Sequence, residues 1–396
     1  MKVIVSQYGA RRRYMIPRIL EEAGLLLALY TDSNSQSNLG KIGKCLKNLF
    51  PSLSRLAKRQ PDIPVHKIHS YDGLQVKLAL CNLMRNSIAA KVETIYEGSS
   101  SKYIKWGVQD ADWLYTMFIE NIKFTQYAKI KGLKIIADIY EDPYIWDELL
   151  EELKHPAYSA IHTQQEFYAA QASLRHRYFD TLLAISDQYI VPSDYVKERI
   201  KKSPSFDAKK INLIPYPSSV RNLRYCNEPV IGRIIWVGND PVRKGLIYCA
   251  EVARRIKEKY SFIDFRIIGT IPNSLKSSKY FSDLNFIGYC DKLQLAEEYR
   301  KADVFVFPTL AEGFAGGLLE AANFGVPIIT TRASGLGVDS PGLFVEKRDV
   351  DGIVQYLTSL FENRALRTRI SHDIFAYTQK RKDDFIDKLL KIIHTK

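Results

Sequence analysis

The residues best suited by type to do chemistry lie in 302–329, ADVFVFPTLAEGFAGGLLEAANFGVPII, where an apolar run ends at Pro308 and a glycine-bearing loop leads into a helical pattern. A helix start at the carboxyl end of a strand offers free N–H groups and the positive end of the helix dipole, which favour an anion. Gly316 and Gly317 let a phosphate approach without a Cβ in the way, so a diphosphate fits this place. Glu312 in the loop and Glu320 about one turn into the helix flank it. Carboxylates accept hydrogen bonds from sugar hydroxyls.

Parallel α/β units are the elements that present such a loop. Short apolar runs at 3–5, 25–30, 114–118 and 134–137 alternate with helical patterns at 13–23 and 121–131. A long helical pattern over 146–186 precedes strands at 189–191 and 211–214, with Ser193 as N-cap of a helix between them. Residues 215–229 hold three prolines and no periodicity, and read as a linker. A second series follows, with strands at 234–237, 265–268, 285–287, 304–307 and 328–330 alternating with helices at 243–259, 292–301 and 317–325. From Asp349 the pattern is helical, and 384–393 is amphipathic.

The 396 residues suit two domains, and 46% hydrophobic with 26% charged residues excludes collagenous, low-complexity and disordered chains. No apolar run reaches the roughly 18 residues needed to cross a bilayer. The start, MKVIVSQYGARRR, places its basic residues after the apolar stretch, the reverse of a signal peptide, so a cytoplasmic chain is expected. Five cysteines without CxxC spacing point to reduced thiols. The net charge of +13 favours an anionic partner, and residues 1–105 carry most of it, with 17 Lys and Arg against 7 Asp and Glu. Within them Leu39, Ile42, Leu46, Leu49, Leu53 and Leu56 recur at helical spacing among Lys41, Lys44, Lys47, Arg55, Lys58 and Arg59. That pattern fits either an interfacial helix pair broken at Pro51, on the inner face of an anionic membrane, or an ordinary helix with a solvated basic face. No RNA-binding aromatic signature accompanies the charge, so nucleic acid is not an expected partner.

The segment PTLAEGFAGGLLEAANFGVPII resembles the E-x7-E motif of family-4 retaining glycosyltransferases of the GT-B fold. ADWLYT, VPSDYVKERI, KKINLIPYP, IIWVGNDPVRKGL, FRIIGT, NFIGYCDKLQLAEEYRKADVFVFP and GLFVEKRDVDGIVQYL resemble the same family in order and spacing, over most of the chain. The resemblance implies two Rossmann-like α/β domains facing across a cleft: an acceptor-side domain at 1–218, a nucleotide-sugar domain at 219–372, and a helical segment at 373–396 returning to the first domain. It also implies transfer of a sugar from a nucleoside-diphosphate sugar to a hydroxyl acceptor, with retention. A glycan or lipid-linked acceptor in cell-surface polysaccharide synthesis is expected, with no cofactor beyond the donor.

By the same resemblance, Glu312 contacts donor-sugar hydroxyls, Glu320 holds the ribose, and Gly316, Gly317 and Leu318 offer backbone N–H groups, with Phe314 and Ala315 leading in. Residues 237–245 resemble the family's phosphate loop. Lys244 matches its lysine, but after Gly238 stands the neutral Asn239 where relatives have arginine, leaving Arg243 to compensate. Tyr289 and Cys290 are expected beside the base, and Gly9 and Ala10 near the donor phosphates. Arg11, Arg12 and Arg13 either bind an acceptor pyrophosphate or begin a solvated basic helix. Where relatives often have a histidine, this chain reads DIYEDPYIWDE, leaving Asp138, Glu141 or Asp142 on the acceptor side.

Metal is not expected. Asp110 and Asp112 spell the Asp-x-Asp of metal-dependent transferases but precede a strand instead of following one, and His66 and His69 lack a partner cluster. Two other functions fit the same scaffold: a nucleotide-sugar epimerase or phosphorylase, or a catalytically silent sugar-nucleotide- or membrane-binding protein, the latter suggested by Asn239 and the missing histidine.

Overall fold

A computed structural model describes residues 1–45, 55–84, 87–217, 224–380 and 384–394. Two parallel sheets form its frame. The first holds β1 (Val3–Ser6), β2 (Leu26–Thr31), β3 (Ile68–Ser70), β4 (Trp113–Met117), β5 (Lys134–Asp138), β6 (Gln188–Val191) and β7 (Ile211–Leu213), in the order β3-β2-β1-β4-β5-β6-β7. The second holds β8 (Arg233–Val237), β9 (Asp264–Ile268), β10 (Asn285–Gly288), β11 (Val304–Phe307), β12 (Ile328–Thr331) and β13 (Leu343–Val345), in the order β10-β9-β8-β11-β12-β13. The central strands β1, β4, β8 and β11 are continuous apolar runs because helices cover both faces of a parallel sheet. Strand order reverses between β1 and β4 and again between β8 and β11. The loops leaving those strands therefore diverge and leave a crevice at each switch point.

Several elements differ from the sequence reading. The expected helix 146–186 is broken by Pro156 into Ile145–Glu152, a 3-10 segment Pro156–Gln164 and Gln165–Ile185. The first helix starts at Met15, not at residue 13, because Arg12, Arg13 and Tyr14 are all left-handed, with φ of 47°, 53° and 58°. Each such residue costs about 1–2 kcal/mol. Gly245, also left-handed, delays the helix expected from 243 until Leu246. Strands β3 and β13 and the helices Gly73–Leu83, Ile88–Glu97 and Ser100–Trp106 had no counterpart in the pattern. Ser193 does cap Asp194–Ile200, its hydroxyl accepting from the Val196 N–H.

The two sheets are bound together in two ways. Between β5 and β6, the chain leaves the first sheet and buries Ile145, Leu149, Tyr158 and Ile161 in the core of the second. There the Tyr158 hydroxyl donates to the Pro241 carbonyl at 3.1 Å, and Glu148 pairs with Lys347 at 2.9 Å and Arg348 at 3.1 Å. At the other end of the chain, the helix Arg364–Lys380 packs on the second domain, anchored where Arg367 and Arg364 meet the fully buried Asp303. The helix Phe385–His394 then returns to the first: Phe385, Leu389, Ile392 and Ile393, spaced as one helical face, join the cluster of Val3, Val5, Leu26 and Trp113.

Part of the basic segment is visible. The helix Asn38–Cys45 starts beside Asp72, whose carboxylate accepts from the Leu39 N–H at 3.0 Å, and Lys41, Ile42 and Lys44 are exposed. Arg59 does not belong to a solvated basic face, since it pairs with the buried Asp32 at 2.9 Å, and Leu56 is buried. Leu46, Lys47, Leu49, Pro51 and Leu53, and linker positions 218–223, lie outside the described residues.

Candidate functional site

The switch point of the second sheet opens into a cavity of about 410 Å³ lined by Gly238, Asn239, Arg243, Lys244, Glu312, Phe314, Ala315, Gly316, Gly317 and Leu318, all expected site residues, together with Val237, Asp240, Phe305 and Phe307. Two loops make it. The loop after β8 is knitted to the loop after β11 by the Arg243 carbonyl, which accepts from the Leu310 N–H at 2.8 Å and from the Thr309 hydroxyl at 3.1 Å. The Glu312 N–H donates to Ala333 at 2.7 Å, which ties the second loop to the end of β12. A Cβ on Gly238 would lie 2.4 Å from Lys244 Cδ, so its absence lets the lysine stem cross the end of β8.

Glu312 is the electrostatic centre. Its Oε1 takes both Arg243 Nη1 at 2.6 Å and Lys244 Nζ at 2.7 Å, and its side chain is 12% exposed. Burial opposes its charge, but Lys244 and Arg243 outweigh burial and hold the carboxyl below the usual glutamate range. Arg243 Nε also meets Asp240 at 3.1 Å, so two cations and two carboxylates leave the cluster close to neutral. Lys244 Nζ sits 4.6 Å from the Phe307 ring centroid. Asn239 is not simply a missing charge: its side-chain oxygen accepts from the Thr270 N–H at 2.7 Å and fixes the loop after β9.

Glu320 stands outside this lining, half-buried beside Tyr299, whose phenol is pushed up by burial first and by Glu320 second. Tyr289, 79% exposed, and Cys290 follow the edge strand β10 and also lie outside it. Asp110 and Asp112 hold the chain start: the Lys2 N–H donates to Asp112 at 2.7 Å and Lys2 Nζ pairs with Asp110. His69 packs against Tyr30 and Trp106.

Across the cleft, the switch point of the first sheet gathers the acceptor-side candidates. Gly9, with φ of 61°, donates its N–H to Asp32 at 2.8 Å. Asp138, fully buried, accepts from Arg12, Tyr115 and Tyr216, while Asp142, also buried, accepts from Arg199 and Tyr195. Both are saturated structural carboxylates. Glu141 and Asp142, but not Asp138, line a cavity of about 320 Å³ between the domains, and Glu141 pairs with the buried Arg175. The sequence reading missed Glu120, which no spacing singles out; it accepts from the Tyr8 N–H at 2.9 Å, Arg11 Nε at 2.8 Å and the Tyr140 hydroxyl at 3.1 Å. It also missed Asp240, which an Asp-Pro pair ahead of a helix could have indicated: its Oδ1 accepts from the Arg243 N–H at 3.1 Å.

The two domains with this cleft have the GT-B fold. Over the full length of the chain, the structure superposes with a TM-score of 0.65 and 11% identity on all of a point mutant of Staphylococcus aureus TarM, solved in complex with Fondaparinux, alpha-GlcNAc-glycerol and UDP. It superposes with a TM-score of 0.60 and 11% identity on all of Anabaena HepE in complex with UDP and glucose. Residues 232–363, which supply the whole 410 Å³ cavity, match the family described as Glycosyl transferases group 1. A Staphylococcus aureus capsular polysaccharide biosynthesis glycosyltransferase, CapM, is 38% identical over 148 residues, 35% of this chain and 39% of that protein, so the match spans less than half of that relative.

Proposed function

We propose that the chain is a glycosyltransferase that moves a sugar from a nucleoside-diphosphate sugar to a hydroxyl acceptor in cell-surface glycan synthesis. The observation that carries this reading is Glu312 holding Arg243 and Lys244 together in a cavity also lined by the bare backbone of Gly316 and Gly317. The match to the transferase family over this region and the likeness to CapM support it. The incoming diphosphate competes with Glu312 for the two cations and accepts from the N–H groups at the start of the helix Gly316–Asn323. Glu312, released, then accepts from the donor-sugar hydroxyls.

In the transfer, the bond from the anomeric carbon to the diphosphate oxygen breaks. The acceptor oxygen bonds to that carbon, and its proton passes to the departing diphosphate. Arg243, Lys244 and the helix N-terminus stabilise the charge that develops there, which is the role a divalent metal fills elsewhere. Metal independence and retention, with attack on the face the diphosphate leaves, are part of the proposal.

Nucleoside-diphosphate release from UDP-, GDP- and ADP-sugars, with chelator present, tests the reading; release from one donor is the expected result, and a glycosylated product separates transfer from epimerisation. Lys244→Ala is expected to weaken nucleoside-diphosphate binding by about 10- to 100-fold, the worth of one charged hydrogen bond, while leaving the free nucleoside unaffected. Equal weakening of both would remove Lys244 from the phosphate site.

We also propose that the first domain rests on an anionic membrane. Among the described residues no helix is long and apolar enough to cross one. Supporting a peripheral position, Val76, Leu80, Leu83 and Met84 form one exposed helical stripe, with Leu83 80% exposed, on a helix that begins after the same Asp72 that meets Leu39. Leu83→Glu is expected to lower binding to vesicles containing phosphatidylglycerol severalfold without changing donor affinity. Unchanged vesicle binding would leave the stripe without this role.

A further inference from the structure

A second cavity, of about 490 Å³, adjoins the first and shares Phe314 and Gly316 with it. Its other wall comes from the first domain, where Arg12, Arg13 and Arg18 line it. The three arginines that open the first helical turn have separate fates. Arg11 is held by Glu120, and Arg12 by Asp138 at 3.0 Å and by the ring of Tyr216. Arg13 is exposed and has no carboxylate within ion-pairing distance among the described residues. Arg18 reaches only the exposed Asp62, at 3.9 Å, and its Nε is buried without a hydrogen-bond partner among the described residues.

The left-handed run Arg12–Tyr14 is what separates them. Backbone strain of this kind persists only where its surroundings enforce it. Here Arg12 is fastened inward and Arg13 is left at the cavity. Two guanidinium groups without close partners, set in a cavity whose remaining walls include Met15 and Leu319, suit a phosphate joined to a less polar group.

We propose that this cavity binds the phosphate of a phosphorylated acceptor, with Arg13 and Arg18 as its partners and the acceptor hydroxyl directed across Gly316 toward the donor. The word acceptor rests on the glycosyltransferase reading; the anion site does not. Inorganic pyrophosphate is the soluble probe, titrated into the whole protein with nucleoside diphosphate already saturating the first cavity. Wild type is expected to bind it, and Arg13→Gln with Arg18→Gln to bind it at least about tenfold more weakly. Nucleoside-diphosphate affinity stays the same, which also shows that the variant folds. Arg13→Lys with Arg18→Lys recovers part of the binding.

Equal pyrophosphate binding by wild type and the glutamine variant would overturn the proposal, as would pyrophosphate that merely displaces the nucleoside diphosphate. Phosphatidylcholine vesicles with and without phosphatidic acid distinguish the source. Arginine-dependent binding to the phosphatidic acid vesicles identifies a lipid-borne phosphate, and arginine-dependent binding of pyrophosphate alone a soluble one; either result upholds the site. If wild type binds no nucleoside diphosphate, the transferase reading fails by itself, and the same pyrophosphate comparison in a Lys244→Ala background still decides the anion site.

Discussion

Glu312→Gln is expected to slow sugar transfer by about 10²- to 10³-fold while the protein stays folded. The substitution keeps the shape of the side chain and removes the charge that gathers Arg243 and Lys244, each within 2.7 Å of Oε1. In the proposed donor complex it also replaces the carboxylate assigned to the sugar hydroxyls with a weaker acceptor, so the loss is expected to fall on kcat more than on nucleoside-diphosphate binding. Stability has a distinct signature. Because the folded-state carboxyl lies below its ordinary value of 4.5, the charge of Glu312 contributes stability that is present above the unfolded pKa and is lost as pH falls through the folded one. The stability gap between wild type and Glu312→Gln is therefore widest near neutrality and shrinks on acidification below the usual carboxylate range. Wild-type turnover in the variant would remove Glu312 from the chemistry, and a gap independent of pH would contradict its charge-paired state.

Gly313→Ala is expected to impair transfer by a different route. A Cβ at this position would stand 1.5 Å from the Tyr140 carbonyl oxygen and 2.5 Å from its carbon, both main-chain atoms that cannot swing aside. On its other side, the Gly313 carbonyl accepts from the Ser193 hydroxyl at 2.8 Å. The loop that carries Glu312 is thus clamped against the first domain, and the methyl group must part the two. Overpacking of this kind costs about 1–3 kcal/mol. Transfer is expected to fall by about a hundredfold or more as the cleft loses its geometry, with nucleoside-diphosphate binding to the second domain changed by only about threefold, since the partners proposed for its phosphates, Arg243, Lys244 and the helix Gly316–Asn323, lie in that domain. Small-angle scattering should show a larger radius of gyration. A variant that transfers at the wild-type rate would show that catalysis does not need this contact.

The site's second-domain half was legible because it is local in sequence. The order of strand, glycine loop and helix in 302–329 supplies Glu312 and the helix start together, and the loop after β8 supplies its cations within a few residues. The first-domain half was not, because it is built from side chains far apart in the chain. Glu120 finds Tyr8, Arg11 and Tyr140 only once the sheet has brought β1, β4 and β5 together. Asp138 and Asp142 looked available by type and are instead spent on tyrosines and arginines. The strands missed, β3 and β13, are three residues long and lie at sheet edges, too short for a period to declare itself. Pro156, by contrast, was a readable break in the helix around it.

The order in which the chain is made gives the returning helix a consequence of its own. The first sheet is fully synthesised by Leu213, yet its apolar cluster lacks Phe385, Leu389, Ile392 and Ile393 until residues 385–394 emerge. A nascent chain therefore carries an unfinished hydrophobic surface throughout translation of the second domain, which is the interval when chaperones and proteases have access to it. Ribosomal stalling anywhere between the two sheets leaves that surface open, so damage late in the message is sensed in the domain encoded first.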